Sequence, residues 1–453
     1  MVKTALFLAL FSACSPAIFG QISNQRISPS ATGTSAVNDS AKKNQVNISA
    51  EFRFRTEYRH GYRYLFPKKS ADTSGALFNA QRMRLNVEYS NKIIDAYISL
   101  QDARVWGEQN QRNGRNVPLY LYEAYVEPHF NSHFSARIGR QKISYDNQRL
   151  FSMNDWRNSG SSYDALKLIY SNTKLNTELT TSYNQSGENY FNTNYNPAGF
   201  SDYKFLAVHY LKWNPVNYFQ LTTINAGDAF QSSRPEESNK TYMRYTSGGR
   251  LALSNDAWYF TTSAYYQYGK DSTGKKISAY YMQPEIKYQN GSLSTRLGAE
   301  VISGTNRDET ITSHSFASLY GSAHRFNGVL DLFTSFPKDV NNAGLINPYL
   351  IIDYTNKKWS VGLENHWFFS QKDFYDVTNA KQDHYLGFEM DPRINYTANK
   401  YTSVELGGAI AFATESLAVI KYPLKKTPGY YSLRPYFAYL TLQVKLSMLQ
   451  MKF

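Results

Sequence analysis

Two short segments carry arginines two residues apart: Arg53 and Arg55 in "VNISAEFRFRTEYR", and Arg82 and Arg84 in "AQRMRLNVEY". A guanidinium stays protonated throughout the physiological range and forks onto carboxylate or phosphate through paired N–H donors. Glu51, Glu57 and Glu88 share the polar columns with these cations, so carboxylates stand ready to pin them. A water-facing wall of this kind concentrates anions and repels cations. The stretch "RIGRQKISYDNQRL" (137–150) adds Arg137, Arg140, Lys142 and Arg149. Asp102 of "QDARVW" and Glu123 of "LYLYEAYVEP" are suited to orienting guanidinium groups.

Other signals of chemistry fall short of a site. "GKDSTGKK" (269–276) follows a phosphate-binding loop for seven positions, but Lys276 stands where Ser or Thr would hold Mg²⁺. It also joins two strand-like segments, so it reads as a solvated hairpin loop. His129 and His133 are four apart, but Pro128 precedes them and no HExxH accompanies them, so no metal is expected. Ser, His and Asp occur without a nucleophile elbow, and neither an enzyme nor a cofactor is expected. The basic residues alternate with acids instead of forming patches with stacking aromatics, which argues against nucleic acid as a partner.

The elements that must position the arginines are strands. In 46–59 the residues Val46, Ile48, Ala50, Phe52, Phe54 and Tyr58 occupy one parity, and Asn47, Ser49, Glu51, Arg53, Arg55, Glu57 and Arg59 the other. This is period two, the signature of a strand with unlike faces. In 82–89 the column Met83, Leu85, Val87, Tyr89 opposes Arg82, Arg84, Asn86, Glu88. In 120–127 the same reading sets Tyr120, Tyr122, Ala124 and Val126 against Glu123, Tyr125 and Glu127. Arg137 shares a parity with Gly139 and Gln141, whereas Arg140 falls on the apolar one; either a bulge turns it inward or the strand has left the membrane there. Asp102 and Arg104 pose the same alternative.

About eighteen such segments recur to the end of the chain. Longer polar connections (187–201, 231–240, 336–343, 371–382) alternate with short ones, as in a barrel with tight turns on one rim and long loops on the other. The apolar column is often aromatic near strand ends, and the opposite column is charged with both signs. Eighteen strands also exceed what one sandwich usually holds. The expected fold is therefore all-β, a transmembrane antiparallel β-barrel of about 18 strands over residues 45–453. No 18-residue apolar run exists for a transmembrane helix. The closing "LTLQVKLSMLQMKF" places Leu440, Leu442, Val444, Leu446 and Met448 in one column, while Phe453 falls on the other parity, implying a shift near Met448.

Residues 1–20 read as a secretory signal, with Lys3, an apolar run and small residues before a cleavage point at Gln21. Residues 21–44 are a polar, flexible leader. Cys14, the single cysteine, either leaves with the signal or is lipidated. Removal of Lys3 with the signal takes the formal charge from +13 to +12.

The segments "QRMRLNVEY", "QDARVWG", "LYEAYVEP", "RIGRQKISYDNQRL", "NDWRNSGSSYDALKL" and "SLYGSAHRFNGVLDLF" together resemble the alginate-export family of outer-membrane porins. The likeness covers nearly all of 45–453 and is densest over 82–168. It implies an 18-stranded monomeric barrel whose arginine-lined constriction conducts an anionic polymer or solute. By position in these motifs, Arg82, Arg84, Arg104, Arg137, Arg140 and Arg149 correspond to lumen cations, and Asp102, Glu123 and Asp164 to their acidic companions. Trp156 of "NDWR" corresponds to an inward loop or the start of a strand. The second half of the chain carries polar aromatics where a polyuronate track calls for cations, so passage of anionic solutes is a better expectation than alginate itself.

The functional expectation is a passive outer-membrane porin in contact with lipid, passing anionic small solutes or an acidic polysaccharide along Arg53, Arg55 and the residues just named. Two alternatives from other classes are a barrel-anchored glycan-binding protein and an outer-membrane hydrolase.

Overall fold

The computed structural model describes residues 44–66, 74–108, 119–185, 187–188, 190–191, 203–322, 324–423 and 429–453. The expected signal, Cys14, nearly all of the leader and most of the 187–201 connection lie outside the described residues.

The strands run β1 (Gln45–His60), β2 (Ala76–Ser90), β3 (Ile94–Val105), β4 (Leu119–Pro128), β5 (Phe134–Gln141) and β6 (Tyr163–Ser171). They continue with β7 (Leu175–Tyr183), β8 (Phe205–Val216), β9 (Phe219–Gln231), β10 (Thr241–Ser254), β11 (Trp258–Lys270), β12 (Lys276–Asn290) and β13 (Leu293–Ile302). After a two-residue strand in a loop, β14 (Thr312–Ser313), come β15 (Leu345–Thr355), β16 (Trp359–Ser370), β17 (Tyr385–Thr397), β18 (Thr402–Ala413) and β19 (Tyr436–Lys452). Setting β14 aside, each strand pairs antiparallel with its neighbours in sequence, and β1 pairs with both β2 and β19. The result is a closed barrel of 18 strands with no open sheet edge to present to lipid. Tight turns such as 91–93, 172–174 and 356–358 share one rim with the start of β1 and the end of β19; the long connections share the other.

The alternation places its columns as expected over most of the wall. On β2, Arg82 and Arg84 are buried inward, while Leu85 and Val87 are exposed outward. Trp213, Trp258, Tyr288 and Trp359 are exposed close to the tight turns, an aromatic girdle at the level of the lipid interface. "GKDSTGKK" forms the end of β11, a five-residue turn and the start of β12.

Two of the wall's irregularities bear on parities read from the sequence. On β4, Ser99 pairs with Glu123 but Leu100 with Leu121, so Tyr122 is an extra residue in a bulge. Tyr122 is 1 % exposed and Tyr120 reaches Gln101 and the Ser159 carbonyl. Both tyrosines therefore turn inward and Leu119 and Leu121 outward, which corrects the parity read from sequence. On β19, Ile48 pairs with Leu449 and Ser49 with Ser447. The bulge at Met448 carries the outward column from Leu440 and Leu442 to Leu449, Met451 and Phe453, all exposed, and so accounts for the expected shift. One glycine is required by geometry. Gly139 has φ +125°, and a Cβ there would strike the Ala124 carbonyl across the short β4–β5 ladder.

The interior is not uniformly wet. Two long connections, 142–162 and 303–344, fold into the barrel, and their Ile143, Tyr145, Leu150, Phe151, Leu330 and Phe333 join one buried apolar cluster. The inner faces of β8 and β9 answer with Leu206, Val208 and Ile224, each at most 1 % exposed. A short helix, α1 (Glu415–Lys421), capped by the Thr414 side chain, adds Leu417 and Ile420.

Candidate functional site

The arginines on β1 and β2 grip the loop 142–162. Arg53 donates to the carbonyls of Asp155 (2.5 Å) and Arg157 (3.1 Å) and to the Asn158 side chain (2.9 Å). Arg55 donates to the Trp156 carbonyl at 2.9 Å, and its guanidinium lies 4.1 Å from the centre of the Trp156 ring. Arg82, with none of its side chain exposed, bridges Glu51 and the Asp155 carboxylate; the latter contact is 2.8 Å. Arg84 stands 3.4 Å from that carboxylate, binds Gln101 and stacks 3.8 Å over Tyr122. Burial alone would raise the Asp155 pKa, but attraction to Arg82, Arg53 and Arg84 outweighs it and holds the carboxyl well below the usual carboxylate range. Period two explains this ladder, since cations two apart on paired strands meet on one face.

The same loop is fixed at other points of the wall. Tyr145 stacks on Tyr210 at 4.4 Å between ring centres. The Asp146 carboxylate accepts from Tyr210 (3.0 Å) and Thr222 (2.8 Å). Arg149, 1 % exposed, pairs with fully buried Glu300 of β13 at 2.7 Å. The segment therefore makes contacts at β8 and β9, at β13, and at β1 and β2. Trp156 continues the packing, its ring stacked 3.8 Å from His324 of the second inward loop and its Nε1–H donating to the Tyr62 hydroxyl at 3.2 Å.

The other residues singled out in the sequence divide into two sets. Arg137 faces inward, paired with Glu127 at 2.6 Å and 4.3 Å from the Tyr125 ring centre. Glu123 also faces inward and pairs with Lys142 at 2.7 Å. Asp102 and Arg104 pair with each other at 3.2 Å, but their register opposite Met83 and Gln81 places them on the outer face. Arg140 and Asp164 pair at 3.1 Å, on the outer parity of Ile138 and Leu166, which are 51 % and 40 % exposed. These four correct the lumen expectation. They lie at the long-loop ends of their strands, where the wall rises towards water and a charge is tolerated on the outer side.

Between the clamp and the opposite wall lies a cavity of 1130 Å³. Its cations are Arg55, Arg59, Arg63, Arg157 and Arg244, and its acids Glu57, Asp271 and Asp331. Arg59 pairs with Glu57, which also holds Arg55 at 2.6 Å, and lies over the Tyr62 and Phe78 rings. Arg244 forks onto Asp228 at 2.5 and 3.1 Å. Arg63 donates to Thr334 at 2.8 Å, and Arg157 is exposed. Of these five, only Arg55 was singled out as a site residue from the sequence. Arg59 stood in the right column, but Arg63, Arg157 and Arg244 have no period-two neighbour that distinguishes them from any exposed cation.

Comparison with known proteins agrees with this architecture. Among solved structures the barrel resembles OccAB4 of Acinetobacter baumannii (10 % identity, TM-score 0.60, covering 92 % of this chain and 100 % of that one). It also resembles opdK of Pseudomonas aeruginosa (11 %, 0.58, 90 % and 99 %) and OccK9 of the same organism (12 %, 0.57, 88 % and 98 %). At these identities the likeness is one of fold. No curated protein matches the sequence. Residues 44–418 match the alginate export family, and this closed 18-stranded barrel is a member of that family, an integral channel protein of the bacterial outer membrane.

Proposed function

We propose that the channel passes anionic solutes, small carboxylates or stretches of acidic polysaccharide, by passive diffusion, each chain acting as a complete pore. One observation carries this reading: five guanidinium groups line the cavity, and with the Asp228 partner of Arg244 they still outnumber the carboxylates Glu57, Asp228, Asp271 and Asp331. In a narrow space with low-dielectric walls, such an excess raises the local anion concentration. Arg59, Arg63 and Arg157 are the groups offered to the solute, and Arg55 and Arg244, held by Glu57 and Asp228, add to the field. Arg53, Arg82, Arg84 and Arg149 act on it indirectly, by fixing the loop that narrows the lumen. Arg137 and Glu123 belong to the inner wall.

Liposome swelling tests the proposal. Vesicles carrying the purified barrel should admit glucuronate faster than glucose, and Arg59→Ala with Arg157→Ala should abolish the difference. Equal rates for the two sugars in the wild-type protein would defeat it.

A further inference from the structure

Outside the arginine clamp, β16 and β17 bring a second charged cluster together. Glu364 pairs in register with Asp391, and His366 with Glu389, so two columns of period two meet on the inner face. All four side chains are at most 4 % exposed. His366 Nε2 lies 3.8 Å from Glu364 Oε2 and 3.9 Å from Asp391 Oδ2, beyond hydrogen-bond reach, and it has no hydrogen-bond partner. The Glu389 and Asp391 carboxyls share a hydrogen bond with each other.

We propose that Glu364, His366 and Asp391 bind a divalent transition cation of the zinc type. The ligand set, one imidazole with two carboxylates, suits such an ion. The donor atoms lie within 4.8 Å of one another. Tetrahedral ligands at bonds of about 2.0–2.1 Å stand roughly 3.4 Å apart, so the two carboxylates must each approach His366 by about half an ångström and each other by at most about 1.4 Å. Its outer partners fix the imidazole. The other ring nitrogen, Nδ1, lies 3.2 Å from Asn347 Oδ1. Asn347 Nδ2 donates to the Phe326 carbonyl at 2.8 Å, which leaves Oδ1 as the acceptor. Nδ1 therefore carries the hydrogen, and Nε2 presents its lone pair to the carboxylates, an arrangement a cation resolves. The nearby guanidinium, Arg393, is 3.7 Å from Glu364 and is engaged by Asp353.

The ion would also secure the second inward loop. Val329 N–H donates to Asp391 at 3.1 Å and Leu330 N–H to Glu389 at 2.8 Å. Gly328, with φ +76°, passes so close that a Cβ there would strike the Glu389 carboxylate. A cation fixing these side chains fixes 326–333 with them.

Zn²⁺ titration of the chelator-stripped full chain in detergent provides the test. One equivalent should bind saturably and raise the unfolding temperature. His366→Ala and Asp391→Asn should each weaken binding at least tenfold and lose the thermal shift, whereas His209→Ala, on the exposed outer face, should behave as wild type. Heat-dependent gel migration identifies variants that fold. Should either ligand variant fail to fold, Co²⁺ in the wild-type protein serves instead: visible ligand-field bands that persist with excess chloride and vanish in Glu364→Gln support the site. Absence of saturable Zn²⁺ binding, equal binding by folded His366→Ala, or no Co²⁺ bands would overturn it.

Discussion

Replacing Asp155 by Asn removes one charge from the clamp and leaves nearly the same shape. The lost carboxylate serves Arg82 at 2.8 Å, Arg84 at 3.4 Å and Arg53 at 3.9 Å. Breaking one side of a fully buried ion pair costs about 3–5 kcal/mol. The Asp155 side chain is 45 % exposed, so water screens part of that, and Arg82 keeps Glu51. A cost of about 1–3 kcal/mol for seating the loop is reasonable on these grounds. At ~1.4 kcal/mol per tenfold, the population with 154–158 released should rise roughly 5- to 140-fold. The remaining attachments at Asp146 and Arg149 hold the rest of the loop, so single-channel recordings should show frequent excursions to a wider substate. The sign with pH follows from the depressed carboxyl. Its contribution is complete above the unfolded value of about 3.9 and is lost only as pH falls through the lower folded one. Wild-type conductance traces at pH 4.5 and pH 7 should therefore agree in substate frequency, while Asp155→Asn at pH 7 should show the substates that the wild type reaches only in strong acid. Asp155→Asn traces indistinguishable from wild type, or a narrower pore, would refute the reasoning.

Other perturbations have equally definite outcomes. Arg149→Met strands Glu300 in a buried site and should destabilise the barrel by about 3–5 kcal/mol, whereas adding Glu300→Leu should restore much of that; urea unfolding in detergent measures both. Leu297, 57 % exposed in the middle of β13, faces lipid, so Leu297→Arg should cost about 2–4 kcal/mol of folding into bilayers, with little change in conductance among molecules that insert. Gly139→Ala should lower the folded yield by disturbing the three-pair β4–β5 ladder, as read by heat-dependent gel migration.

The sequence was most informative where one face met lipid and the other charge. On β1 and β2, parity alone placed Arg53, Arg55, Arg82 and Arg84 on the inner face. It failed at Tyr120 and Tyr122 because one inserted residue reverses a column without leaving a mark in composition. At Arg140 parity gave the outer column, and only the family resemblance assigned Arg140 and Asp164 to the lumen; the strand continues past the hydrocarbon there, and the rule confining charge to the inner face lapses. On β8 the inner residues Leu206 and Val208 are apolar because the loop 142–162 packs against them, so neither face announces the lumen. The contact of Arg149 with Glu300 spans 151 positions and has no local signal. Within their own segments the Glu364–His366 and Glu389–Asp391 pairs carry no mark of a site, Glu364 and His366 being separated by the polar Asn365. Only the register of β16 on β17 makes them one cluster.

The central claim is that the cavity arginines make this lumen prefer anions. Reversal potential under a KCl gradient across a planar bilayer tests it most directly. The wild-type protein should reverse towards the chloride equilibrium potential, and Arg59→Ala with Arg157→Ala should move that value towards zero. Reversal at zero or towards the potassium potential in the wild-type protein would contradict the claim.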